Sequence, residues 1–120
     1  MIQGDGAGRE VIPAAERVLT RAGERFGFTP EFAEFDWGAG YYHRTGRMMP
    51  VDAIETLRGF PAILLGAVGD PSIPDHITLN GLLLPIRRAF DQFANVRPAK
   101  LYPGVRSPLV GVRGGEIDMV

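Results

Sequence analysis

The chain has 120 residues, 45% of them hydrophobic and 22% charged, with a formal net charge of -1. This length fits one domain at most, the composition is ordinary for a globular protein, and the charge balance gives no electrostatic case for nucleic acid. No apolar run approaches the ~20 residues of a membrane span. Cysteine is absent, which excludes disulfides and thiolate metal sites and, with no signal-peptide pattern at Met1, makes the cytoplasm the expected location.

In chain order, Met1-Ile2-Gln3 reads as the tail of a strand whose earlier residues are expected to be missing, because a buried parallel strand is usually longer. Gly4-Asp5-Gly6-Ala7-Gly8 is a glycine-dense strand-to-helix turn. Val11, Ile12, Ala15, Val18, Leu19, Ala22 and Phe26 fall at helical spacing, predicting a helix from about Gly8 to Phe26, with Pro13 in its first turn and Gly27 ending it. Thr29 to Phe35 alternates well enough for a strand. Short helices are expected over Trp37 to Thr45, stopped by Gly46, and over Val51 to Arg58, where Asp52, Glu55 and Arg58 suit the helix dipole. Ala62 to Val68 is the clearest strand, and its uninterrupted apolar character implies cover on both faces, hence a parallel α/β sheet. Gly69 to Leu79 reads as a polar, proline-broken loop at the carboxyl end of that strand, where open α/β sheets place ligands. A helix carrying Arg87, an extended Asn95 to Tyr102, a turn-rich stretch from Pro103 to Gly115 and a strand-like Glu116 to Val120 complete the chain.

Arg87 sits in an apolar helix and Arg97 directly before Pro98, so two guanidinium forks can converge on a dicarboxylate. The alternative stays open: Arg87 and Arg88 solvated, Arg97 paired with a nearby acid. The glycine turn has G-x-G-x-G spacing, not the G-x-G-x-x-G of a dinucleotide fingerprint. Its glycines admit either close approach of a ligand or a tight turn. Leu83 and Leu84 also read as helix-face packing. Pro85 removes a backbone donor and disfavours helical geometry at Leu84, so the helix either starts there or is kinked there. His43 and His76 are too far apart to form a local ligand pair, and Asp70 and Asp75, which flank the loop, suit solvation or capping. None of these is assigned to metal.

Leu83 to Lys100, Gly4 to Val11 and Leu65-Gly66-Ala67-Val68-Gly69 together resemble the β-decarboxylating dehydrogenases of the isopropylmalate and tartrate type. Phe35-Asp36-Trp37, Tyr41-Tyr42, Gly46 to Pro50, Pro74-Asp75-His76-Ile77 and Pro103 to Leu109 point to the tartrate branch. The resemblance implies a partial isopropylmalate dehydrogenase-like α/β fold, mostly parallel sheet flanked by helices. Residues 1–100 would be the N-terminal part of the large cofactor and substrate domain, and 101–120 the start of a second, dimerisation domain. It further implies oxidation and decarboxylation of a malate-type 2-hydroxy acid with NAD and Mg2+ or Mn2+, in a full-length homodimer. On this basis Arg87 and Arg97 would hold the carboxylates of a small dicarboxylate substrate, and Leu83 and Leu84 would line the pocket for its variable group. Gly6, Ala7, Gly8 and Asn80 would lie at the cofactor. Ala7 departs from the larger aliphatic residue the family often has, and Asn80 from a larger or acidic one. The catalytic lysine and tyrosine, the metal-binding aspartates and a third arginine would lie beyond Val120. The competing expectation is a non-catalytic remnant that binds a dicarboxylate or assembles with a partner chain.

Overall fold

Two short strands run side by side in parallel, β1 (Ile2–Gly4) and β2 (Leu65–Ala67), with Ile2 opposite Leu65 and Gly4 opposite Ala67. The computed structural model that shows this describes all residues, 1–120. The predicted strand over Thr29 to Phe35 does not form. Phe35 alone makes a parallel bridge to Ile2 on the free side of β1. A strand needs a partner along its length, and here the ladder reduces to the Phe35 amide donating to the Met1 carbonyl and the Met1 amine donating to the Ala33 carbonyl. The strand expected over Ala62 to Val68 narrows to Leu65–Ala67 and is only half-buried.

Between the strands lie α1 (Gly8–Phe26), α2 (Ala39–Thr45) and α3 (Ala53–Arg58). α1 ends where expected: Gly27 is left-handed at φ 78, and its amide donates to the Gly23 carbonyl. Pro13 does not sit in the first turn but inside the helix. It is exposed, so water can satisfy the Arg9 carbonyl that loses its amide partner, and the ring's fixed φ is already helical.

The segment expected to stay a loop as far as Leu79 turns helical at Asp75. α4 (Asp75–Thr78) runs into a π-helical turn (Leu79–Leu83) and then α5 (Leu84–Ala89). Pro85 explains the interruption. Without its N–H the regular ladder fails, and the Leu84 amide reaches the Leu79 carbonyl, five residues back. Pro85 thus stands in the first turn of α5, as one of the two expectations had it within a residue, and the π-helical turn joins that helix to α4.

Ile2, Trp37, Met48, Ala53, Leu57, Leu82 and Ile86 form the core, and Phe35 stacks on Trp37 with ring centroids 4.5 Å apart. An exposed hairpin closes the chain, β3 (Ala99–Lys100) against β4 (Asp118–Met119), antiparallel, with a Lys100–Asp118 ion pair at 2.6 Å. Of the extended stretch expected over Asn95 to Tyr102, only the two residues of β3 are strand. No helix is long and apolar enough to cross a membrane.

Candidate functional site

The carboxyl ends of β1 and β2 open into two loops, the glycine turn into α1 and Val68 to Pro74 into α4. The first is tightly bonded to itself. The amides of Gly8, Arg9 and Glu10 donate to the carbonyls of Asp5, Gly6 and Ala7. Those first-turn amides are thus not free to cradle a phosphate, which removes the Rossmann mechanism from this turn. The amides of Gly6 and Ala7 donate to no group of the chain, and both residues are exposed. Gly6 stands at φ +47 with open space where a side chain would be. These two amides are open to solvent or to a ligand. Gly8 serves packing, since a Cβ there would lie 2.0 Å from the Gln3 carbonyl oxygen and 2.7 Å from the Ala67 nitrogen.

The second loop is held by Asp70. The Ser72 hydroxyl donates to its Oδ1 at 2.5 Å and the Ser72 amide at 2.8 Å. These bonds hold the Asp70 carboxyl below its ordinary 3.8, against a small opposing effect of desolvation, and the nearby charges of His43 and Arg9 act in the same direction as the bonds. His43 of α2 approaches the Ser72 hydroxyl at 3.4 Å. No three His, Asp or Glu side chains cluster closely enough to hold a metal ion.

Along the second helical segment, Asn80 is exposed and its side-chain amide donates back to the His76 carbonyl at 2.7 Å. Leu83 and Leu84 are half-buried. Arg87 lines an open recess of about 520 Å³ with Arg88, Asp91, Gln92 and Phe93. Neither arginine of the recess makes an ion pair within the chain. Arg97 lies outside that lining and is exposed. The alternative of Arg97 paired with an acid is not what the structure holds, because its Nε donates to the Asn95 side chain at 3.5 Å and to no carboxylate. Arg87, Arg88 and Arg97 are thus without carboxylate partners, as are most of the chain's arginines.

At the end of α5 the Gln92 amide donates to the Arg87 carbonyl and the Asp91 amide to the Arg88 carbonyl, a Schellman closure with Asp91 at φ 50 where glycine is usual. The closure fixes the backbone that carries Arg87.

The family model of isocitrate/isopropylmalate dehydrogenases matches residues 1–120. The chain belongs to this family. Among relatives of the isocitrate/isopropylmalate dehydrogenase type, a probable tartrate dehydrogenase/decarboxylase of Agrobacterium vitis is 51% identical over 120 residues, covering 99% of this chain and 34% of the relative. The D-malate dehydrogenase [decarboxylating] of Escherichia coli (strain K12) is 51% identical over 119 residues, covering 98% of this chain and 33% of its own length. The 3-isopropylmalate dehydrogenase of Thermobifida fusca (strain YX) is 45% identical over 120 residues, covering 100% and 34%. The chain thus spans about a third of the length of the curated relatives it matches.

Sequence reasoning passed over one residue, Asp5, which the fold buries at the junction of both loops. A lone aspartate between glycines looks like turn chemistry. The usable clue was its place between the end of a strand and the start of a helix.

Proposed function

We propose that this chain is the N-terminal part of an NAD-dependent oxidoreductase that oxidises and decarboxylates a malate-type 2-hydroxy acid such as tartrate, D-malate or 3-isopropylmalate. The observation that carries the reading is the family match over residues 1–120, with relatives named for those three substrates. The unpaired guanidinium groups of Arg87, Arg88 and Arg97 support it, since each is free to take a carboxylate fork.

In this reaction the C2–H bond breaks with its electron pair, the hydroxyl proton leaves, and the β-carboxylate then departs as carbon dioxide to give an enol that is reprotonated. NAD, when bound, supplies the hydride acceptor. Arg87 and Arg97 orient the substrate by its carboxylates, and Leu83 and Leu84 border its variable group. The free amides of Gly6 and Ala7, with Gly8 behind them, form one wall for the cofactor, and Asn80 flanks it. Catalytic proton transfer and any divalent cation are assigned to no residue of this chain. A homodimer and a cytoplasmic location accompany the reading as expectations of the family.

The test is steady-state assay of the protein at its native length with NAD, Mg2+ or Mn2+, and each of the three acids, following NADH formation and carbon dioxide release. Turnover of at least one acid is expected. Tight binding of these acids without any turnover would replace the enzyme reading by a dicarboxylate-binding one.

A further inference from the structure

Asp5 is 2% exposed, and all four of its hydrogen-bonding groups are engaged with different parts of the chain. Its amide donates to the Ala67 carbonyl of β2 at 2.7 Å, and its carbonyl accepts from the Gly8 amide of α1 at 2.8 Å. Oδ1 accepts from the Ala39 amide at the start of α2 at 2.6 Å, and Oδ2 from the Gly69 amide of the second loop at 3.0 Å. The carboxylate is also enclosed sterically. A Cβ on Gly38 would lie 2.7 Å from Oδ1, and Gly38 has φ 139, so the chain brings a glycine against the carboxylate.

We propose that Asp5 is a positioning residue: its carboxylate sets the separation of the glycine turn, the Gly69 loop and the start of α2, and through them the shape of the wall that receives the cofactor. The cofactor's part rests on the proposed function, but the clamp does not. Burying a carboxylate is costly unless its lone pairs are satisfied, and two converging amides satisfy it with charge-assisted bonds. A neutral amide of the same shape cannot substitute. Asn at this position accepts one N–H and sets its own NH2 against the other, so either the start of α2 or the Gly69 loop loses its tether. The residues tethered are 34 and 64 positions away in sequence, so no local turn can replace the carboxylate.

Two readouts decide it. In the protein at its native length, Asp5→Asn is expected to speed hydrogen exchange at the Ala39 and Gly69 amides by about tenfold or more while core amides such as Leu82 keep their protection. The same variant is expected to raise KM for NAD by about tenfold with kcat nearly unchanged, because a displaced wall weakens binding without touching the reacting atoms. Unchanged exchange at both amides overturns the proposal, and so does a uniform rise across the core, which marks a merely structural residue. Should Asp5→Asn fail to fold, the wild-type protein still decides the matter: its Ala39 and Gly69 amides are expected to open together, with the same dependence on denaturant, and independent opening overturns the clamp. If the native-length protein turns over none of the three acids, the proposed function falls while the exchange data still judge Asp5.

Discussion

Asp70 and Ser72 make a small titrating unit whose behaviour follows from their hydrogen bonds. Two donors from Ser72 favour the carboxylate, so the folded carboxyl titrates below its ordinary 3.8. The sign is that of a depressed acid: the stabilising contribution is present above 3.8 and is lost as pH falls through the lower folded value. The side chain lies at the surface and is at most partly buried, so the contribution to folding is small. NMR titration should place the Asp70 carboxyl below the ordinary value, and Ser72→Ala, which keeps the amide bond but removes the hydroxyl, should move it part of the way back up; an unmoved midpoint would mean that the hydroxyl bond does not form in solution. Arg97 has the opposite profile, with no ion pair and one long bond to Asn95. In the native-length protein, Arg97→Lys should lower kcat/KM for the acid by about 2 kcal/mol, a forked charge-assisted contact becoming a point contact, while leaving thermal stability unchanged. A kcat/KM equal to wild type would remove Arg97 from the substrate site.

The elements depend on two backbone details that substitution can test. At Gly8 an added Cβ meets backbone on both sides, the Gln3 carbonyl and the Ala67 nitrogen, neither of which can swing away. Gly8→Ala should therefore cost about 3 kcal/mol by forcing α1 away from the parallel pair, read from the shift in urea midpoint at constant slope. At Asp91 the left-handed φ is strained for a residue with a Cβ, and a carboxylate there opposes the helix dipole. Asp91→Gly should raise stability by up to about 1 kcal/mol, and a loss of stability would show that the carboxylate holds the recess together. The helices were legible because periodicity and end signals agree: seven apolar residues at helical spacing and Gly27 mark α1, and Gly46 marks the end of α2. Thr29 to Phe35 misled because alternation reports only that a strand is possible, while pairing depends on a partner that sequence does not place. The π-helical turn was half legible. Pro85 announced a fault in the ladder, but only packing shows that the helix continues through it. Of the candidate site, the arginines and the turn were candidates by residue type and resemblance, whereas Asp5 was not, because its partners are brought to it only by the fold.

At the scale of the whole molecule, the isolated 120-residue chain is expected to be a poor folder, monomeric only at low concentration and without dehydrogenase turnover. Only 16 of 120 residues are buried. The radius of gyration is 17.1 Å, against about 14 Å for a compact domain of this length. Large apolar side chains stand in water, Phe93 at 95% exposure and Val96, Leu109 and Val110 beyond the core as well. β2 is half-buried and pairs on one edge only, with β1, so its other edge presents unpaired N–H and C=O groups beside apolar surface. Such an edge recruits another strand, from the same protein or from a second copy. Activity should fail for a separate reason, since the metal-binding aspartates, catalytic lysine and tyrosine that the resemblance implies are expected beyond Val120. Size-exclusion chromatography with light scattering, thermal unfolding, and NADH formation with NAD, metal and D-malate or tartrate test both halves. The expected results are concentration-dependent association, a broad unfolding transition and no turnover. A sharp cooperative melt from a monomer would show that the small core around Trp37 and Leu82 suffices by itself, and NADH formation above background would place catalytic groups within these 120 residues.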